Sequence, residues 1–238
     1  MTASVSSAMG TLPVTLVLVH SPLVGPTTWA LVADALRAAG HHVVVPRLRA
    51  TQTEVVEQPF WSLLAQQVVE AVPPELERVA VVGHSGSGPL LPVIGERLPM
   101  EVDSYTFVDA TIPALTGATP VVPMQFLGAL LDMATDGRVP GWPSWWSEDV
   151  MASLIPDSGL RKQVEGECPS LPVAYFEERV PVPEGWDTTP CRYIWFSEAY
   201  QATAADASAR GWPTVHVPGG HLHMLEDPRT VARVLATE

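Results

Sequence analysis

The stretch Val79-Ala80-Val81-Val82-Gly83-His84-Ser85-Gly86-Ser87-Gly88 runs as an apolar strand and then breaks into glycine and serine. Such a break reads as a buried parallel strand turning sharply into a helix. The corner forces its central residue into strained φ/ψ and lifts that side chain to the carboxyl end of the sheet. Ser85 stands at the corner. Gly83 lies two residues before it and Ser87 two after, giving small-x-Ser-x-small, with serine where a strict G-x-S-x-G pattern carries glycine. The Gly86 backbone N–H, at the positive end of the new helix, would face an oxyanion formed at Ser85. Glycine and serine clusters also make ordinary turns, but the valine run directly ahead favours a nucleophile.

The chain around this corner alternates strand-like and helix-like segments. Strands are expected over 14–19, 42–45, 79–83, 105–108, 192–196 and 214–217; the near-continuous apolarity of the first is what a parallel strand covered on both faces requires. Helices are expected over 27–39, capped by Thr27 or Thr28 and stopped at Gly40, over 58–72, in the segment after Ser85, and over 228–236. This is the pattern of right-handed βαβ units, hence an α/β fold with a doubly wound, mostly parallel sheet.

Residues 112–190 break the rhythm. Eleven of the 24 prolines and four of the eight tryptophans fall there, a density that opposes long helices and central strands but stiffens loops. Short helices are expected over 124–133 and 148–154, with Trp142, Trp145 and Trp146 between them. The segment reads as an insertion, either a lid over the carboxyl end of the sheet or a plain helical cap that completes the core. The organisation is then a disordered tail over 1–12, a core over 13–111 and 191–238, and a lid or cap over 112–190.

Composition narrows the partners. With 238 residues, 47% apolar and 16% charged, the chain can bury one sizeable core. A formal net charge of −13 with no basic cluster excludes polyanions, so neither nucleic acid nor an anionic membrane surface is an expected partner. Lys162 is the only lysine among the basic residues, and the Arg-, Ala-, Val- and Pro-rich background points to a high-GC bacterial gene. Cys168 and Cys191 are too few for a disulfide framework and lack metal spacing, which fits inert packing in a reducing cytoplasm. The first twelve residues carry no signal-peptide pattern, and no apolar run reaches membrane-spanning length.

A general base is expected in Val217-Pro218-Gly219-Gly220-His221-Leu222-His223, on the loop between the last strand and the last helix. A parallel sheet brings that loop to the same edge as Ser85, placing an imidazole beside the hydroxyl it must deprotonate. The two glycines let the loop bend. His221-x-His223 lacks a third ligand at metal spacing, so no metal is expected. His223 reads as structural, and His20, His41, His42, His84 and His216 as packing or locally bonded residues.

Taken in order, the elbow Gly83-His84-Ser85-Gly86, the loop Gly219-Gly220-His221 with Glu226-Asp227-Pro228 behind it, and Val19-His20-Ser21-Pro22 after the first strand resemble the α/β-hydrolase superfamily over nearly the whole chain. The front half, through Trp29 and Ala38-Ala39-Gly40-His41, most resembles the small methylesterase and hydroxynitrile-lyase-like branch. The insertion carries no such likeness. The resemblance implies a triad in the chain order nucleophile, acid, histidine. It also implies two leading strands that this chain lacks ahead of Val14, hence a trimmed sheet of about six strands.

Two departures from the family pattern bear on the site. Most members place the acid three residues beyond a small turn residue after the next-to-last strand, where this chain has Tyr200. Some members carry it at the end of the strand following the elbow, where this chain has Asp109, the expected triad acid that holds the His221 tautomer. The alternative is that Asp109 caps its own loop and Glu198 reaches His221. The second departure is Pro22, which stands where the family's other oxyanion donor has a backbone N–H. Loss of one donor typically costs about 2.7–4 kcal/mol of transition-state stabilisation. Either the Leu23 N–H or the Ser21 hydroxyl substitutes, or the reaction needs less help. Trp145, Trp146 and Tyr200 complete the expected substrate wall. The expected chemistry is cofactor-free hydrolysis of an apolar small-molecule ester, lactone or thioester by a monomer or homodimer. The alternatives are a lyase, isomerase or cyclase on the same scaffold, or a ligand-binding protein with negligible turnover.

Overall fold

The computed structural model describes residues 15–49 and 59–237; the expected tail, Val14 and Gln58 lie outside the described residues. Six strands form one sheet in the order β10-β9-β4-β3-β1-β2, with every neighbouring pair parallel. They are β1 (Thr15–Val19), β2 (His42–Val44), β3 (Arg78–His84), β4 (Glu101–Val108), β9 (Cys191–Trp195) and β10 (Thr214–His216). Side chains alternate between the two faces as the pleat dictates. Val17, Val19, Val81, Phe107 and Tyr193 share a cluster with α2 (Phe60–Ala71), α3 (Leu91–Arg97) and α8 (Gln201–Ala209). Leu16, Leu18, Val82, Val108 and Ile194 face α1 (Thr27–Ala38) and α10 (Pro228–Ala236). Each such fully buried side chain contributes about 1.5–3 kcal/mol, so a one-residue slip of β3, which would swap its two faces, is strongly opposed. The edge strands β2 and β10 are short, β2 half-buried beyond His42 and β10 exposed throughout.

Strand β4 starts at Glu101, earlier than the expected 105. Its polar opening residues pair with β3, and Arg78 bridges Asp103 at 2.6 Å and Glu101 at 3.6 Å. Helices α8 and α6 (Ser158–Glu167) were not expected. They bury only Ala204 with Ala207, and only Val164: α8 shows no apolar periodicity, and α6 is mostly polar.

Helix α1 ends before Gly40, which takes φ +94°, but neither Thr27 nor Thr28 caps its start. The Thr28 hydroxyl donates to Gly25 O, and the Thr27 N–H is taken by Glu167 Oε2 at 2.9 Å. Helix α2 follows Pro59 and also lacks a cap of its own; the Phe60 and Trp61 N–H groups donate to Glu178 Oε1 and Oε2 at 2.7 and 2.9 Å. Both carboxylates come from the segment between β4 and β9.

That segment holds α4 (Met124–Met133), α5 (Glu148–Leu154), α6 and the single turn α7 (Val173–Phe176). It also forms two antiparallel ribbons outside the main sheet, β5 (Ala118–Pro120) with β8 (Arg179–Pro181) and β6 (Arg138–Val139) with β7 (Leu171–Pro172). Its Val139, Leu171, Phe176 and Trp186 join one face cluster of the core, and Trp142, Met151, Ile155 and Val164 join the other. The insertion therefore completes the hydrophobic core. No helix among the described residues is long and apolar enough to cross a membrane. Cys168 and Cys191 are free thiols, each pushed up to about 12 by burial.

Candidate active site

Ser85 directly follows β3 in the left-handed region, at φ +57°, where a non-glycine residue costs on the order of 1–3 kcal/mol. Its neighbours must be small. A Cβ on Gly83 would meet Leu91 Cδ2 at 2.8 Å, and one on Gly88 would meet Thr111 O at 1.9 Å. Ser87, at the position of the pattern's second glycine, is buried with its hydroxyl 2.9 Å from His84 O and 3.1 Å from Val19 O, so it ties the corner to β1. The residues after Ser85 begin as a 3₁₀ turn (Ser85–Leu90) rather than an α-helix. The cause is Pro89. An α-helix would need its N–H for Ser85 O, proline has none, and Thr111 N–H takes that carbonyl instead at 3.2 Å.

Asp109 follows β4, the strand beside β3, and is also left-handed at φ +41°. It has no exposure and four donors. Oδ1 accepts from Phe196 N at 2.7 Å and Ser197 N at 3.3 Å; Oδ2 accepts from Ser197 Oγ at 2.7 Å and stands 3.0 Å from His221 Nδ1. A buried carboxylate persists only when so satisfied. His221 Nε2 lies 3.0 Å from Ser85 Oγ. With Oδ2 as the acceptor, the imidazole proton resides on Nδ1, leaving Nε2 free to accept the Ser85 hydroxyl proton. The structure thus brings Ser85, His221 and Asp109 into one chain of contacts. Glu198 is exposed at the start of a 3₁₀ turn, and the carboxylate that meets His221 Nδ1 is that of Asp109.

Two histidines hold the surrounding loops. His84, beneath His221 at 4.6 Å between ring centroids, donates from Nε2 to the His221 backbone carbonyl at 3.0 Å. His20 donates from Nδ1 to Ser21 O at 2.8 Å and accepts the Leu48 N–H on Nε2 at 3.1 Å. Burial pushes His20 down to about 4 and His84 well below the ordinary histidine value, so both remain neutral, each with one ring N–H. Neither their role nor that of Ser197 follows from spacing, because the partners lie far away in the chain. Gly219 and Gly220 do not take positive φ. Gly219 is small because the ring of His223, whose Nδ1 meets Glu226 Oε2 at 3.0 Å, fills the place of a Cβ.

At the mouth of the site Pro22 is buried. The Leu23 N–H donates to Ser21 Oγ at 3.3 Å, and a Cβ on Gly86 would meet that same oxygen at 3.2 Å. The Leu23 N–H is thus already engaged, and the Ser21 hydroxyl oxygen stands beside Gly86. Tyr200 stacks on His221 with centroids 5.1 Å apart and planes 5° from parallel.

Of the tryptophans, Trp142 reaches the site, 6.5 Å from His221 between ring centroids. The 3₁₀ turn Trp142–Trp145 sends its neighbours elsewhere. Trp145 donates to Pro140 O and packs on Phe176, while Trp146 is exposed behind Trp142. Ser21, Leu23, Val24, His84, Ser85, Trp142, His221 and Leu222 enclose a cavity of 10 Å³, room for about one water. A much larger open concavity lies at the amino end of β4, between Arg78, Glu101 and Pro190, away from Ser85.

Comparison with known proteins agrees with this architecture. The chain is 28% identical, over 92% of its length and 97% of the relative's, to a carbendazim hydrolyzing esterase of Nocardioides sp. (strain SG-4G). An extracellular alpha/beta-hydrolase from a Paenibacillus species superposes with a TM-score of 0.73 at 16% identity, covering 94% of this chain and 98% of that one. A pyrethroid hydrolase from Sphingobium faniae JZ-2 superposes at 0.70 and 19%, covering 94% and 96%. The model of the alpha/beta hydrolase family matches residues 16–234, and the chain belongs to that family.

Proposed function

We propose that the protein is a serine-dependent hydrolase of a small apolar ester, lactone or thioester, with Ser85 as nucleophile, His221 as general base and acid, and Asp109 as the carboxylate that orients His221. The observation that carries this reading is the pair of 3.0 Å contacts, Ser85 Oγ to His221 Nε2 and His221 Nδ1 to Asp109 Oδ2, built at a left-handed serine. Ser85 Oγ bonds to the substrate carbonyl carbon as its proton passes to Nε2. The imidazolium then gives that proton to the departing alkoxide or thiolate, and a water deprotonated by His221 releases the acid. The Gly86 N–H and the Ser21 O–H receive the oxyanion, the hydroxyl standing in for the N–H that Pro22 lacks.

Leu23, Val24, Trp142 and Leu222 supply an apolar wall, which favours an uncharged substrate. A cavity that holds about one water admits no ester, so the insertion acts as a lid that must open for substrate. Relatives named esterase or hydrolase support the ester-type chemistry. A fluorophosphonate probe and a series of p-nitrophenyl esters of increasing acyl length provide the test. Wild type is expected to be labelled at Ser85 and to turn over, and Ser85→Ala to do neither while keeping its melting temperature. Turnover retained in Ser85→Ala would overturn the acyl-enzyme reading.

A further inference from the structure

The open concavity of 610 Å³ at the amino end of β4 lies at the opposite end of that strand from Asp109. Its rim is acidic. Arg78 is taken up by Asp103 and Glu101, while Glu96 and Glu184 are exposed and have no ion-pair or hydrogen-bond partner among the described residues. Four carboxylates thus face one guanidinium. On a chain of net charge −13 an acidic rim says little by itself, but Tyr105 adds a second observation. It lines the same concavity and is only 3% exposed, and its phenol makes no hydrogen bond among the described residues. Gly95 of α3 leaves room for this group, because a Cβ there would collide with the phenol oxygen. Glycine weakens a helix, and a buried hydroxyl without a partner costs stability that phenylalanine in its place would not. The ring alone supplies the packing, meeting Trp186 at 6.2 Å between centroids. The unpaired hydroxyl and the helical glycine therefore serve something other than the fold.

We propose that this concavity binds a linear polyamine, with the Tyr105 phenol oxygen accepting from one ammonium group and Glu96 and Glu184 pairing with the others. The spacing of the acids selects an extended cation over a metal ion. Among the described residues no three acidic, histidine or cysteine side chains come together in a way that could hold a metal. Carboxylates spread around a rim are matched instead by ammonium groups spread along a chain, whose methylenes pack on the Tyr105 and Trp186 rings. The volume is that of a small-molecule site, which typically spans about 300–1,000 Å³. Nothing in this reading depends on the chemistry at Ser85.

Calorimetric titration of the full chain with spermidine tests it. Saturable binding that weakens as salt is raised is expected for the wild type. Tyr105→Phe should weaken it about 10- to 150-fold, the range of a hydrogen bond to a charged group, without lowering the melting temperature. Glu96→Gln and Glu184→Gln should each weaken it about two- to fivefold, as exposed charge pairs do. Asp132→Asn, an exposed change on α4 outside the concavity, should leave it within about twofold. If Tyr105→Phe and the two glutamine variants bind spermidine as the wild type does, the polyamine is held by overall charge and the site is overturned. Magnesium ions binding as tightly at matched ionic strength, and losing affinity in the same variants, would assign the site to a metal and overturn the polyamine. Absence of saturable spermidine binding to the wild type would overturn it as well.

Discussion

The site and the segment over 112–190 are held in different ways. Ser85 and Asp109 sit at positive φ at the ends of adjacent central strands, and the Asp109 carboxylate is fully paired inside the protein. The insertion adds apolar packing, and its carboxylates reach the starts of two core helices, Glu167 at α1 and Glu178 at α2, while its backbone carbonyls at Pro113 and Pro190 accept from Arg210 Nη1 at 2.6 Å and Tyr105 N at 2.9 Å. The Glu167 side chain also bridges Arg47 at 3.2 Å, a pair whose arginine is half exposed. Burial and strain fix the site, whereas contacts that water can compete for tie the segment over 112–190 to the starts of α1 and α2. Damage to the first region should therefore appear in kcat, and damage to the second in KM and stability.

The sharpest break of that contrast is at Asp109. Asp109→Asn keeps the shape but cannot hold His221 in the Nδ1–H tautomer as a carboxylate does, and kcat should drop by about 10⁴. Glu198→Gln, an exposed change, should leave kcat within twofold of wild type, about the noise of such an assay for ±0.5 kcal/mol. Steady-state kinetics on one p-nitrophenyl ester measures both. A larger loss in Glu198→Gln would mean that the carboxylate serving His221 changes during turnover.

A smaller effect is expected at Ser21. Ser21→Ala removes the hydroxyl that stands beside Gly86 and faces no N–H from Pro22, and should lower kcat by about 10²–10³. Ser21→Thr, which keeps the hydroxyl, should recover most of it. If Ser21→Ala is silent, the Leu23 N–H, freed from Ser21 Oγ, serves as the donor instead.

What could be read from the sequence divides along the same line. The strands and the corner at Ser85 were legible because a continuous apolar run followed by glycine leaves few alternatives. Asp109 was reached through the family resemblance, which places an acid at the end of the strand after the elbow in some members, and local pattern alone left Glu198 open beside it. The insertion was legible only as two helices, at 124–133 and 148–154. Which tryptophan faces the site depends on the 3₁₀ turn after Gly141, a geometry that Pro143 permits but no periodicity announces. The cap of α1 was misread for a related reason. A threonine at the helix start is the ordinary signal, but the group that takes the N–H comes from a glutamate 140 positions away in the chain. Contacts that close over long separations leave no local trace.

The smallest expected effects, and those that best sharpen the contrast, come from the two glutamates. Loss of a helix N-cap costs about 0.5–2 kcal/mol, so Glu167→Ala and Glu178→Ala should each lower the melting temperature by roughly 1–8 °C at about 2–4 °C per kcal/mol. kcat on a small ester should stay near wild type in Glu178→Ala, and, on the proposal that the segment acts as a lid, KM for bulky esters should fall. Glu167 lies closer to the chemistry, since a Cβ on Gly25 would meet its Oε2 at 2.2 Å and the loop with Gly25 also carries Ser21. Its variant should therefore lose some kcat as well. Glu178 adds a pH signature. Burial, the largest influence, raises its pKa above the ordinary carboxylate value despite two N–H donors that act the other way. A carboxyl raised by folding binds its proton more tightly in the folded state. Its contribution to stability is therefore fully present below the ordinary carboxylate range and is lost as pH rises through the raised value. Thermal melts of wild type and Glu178→Gln across that range should show wild type losing ground to the variant as pH increases. Parallel curves would mean that the two α2 N–H bonds offset the burial, and that Glu178 holds the insertion as firmly as the strands hold Asp109.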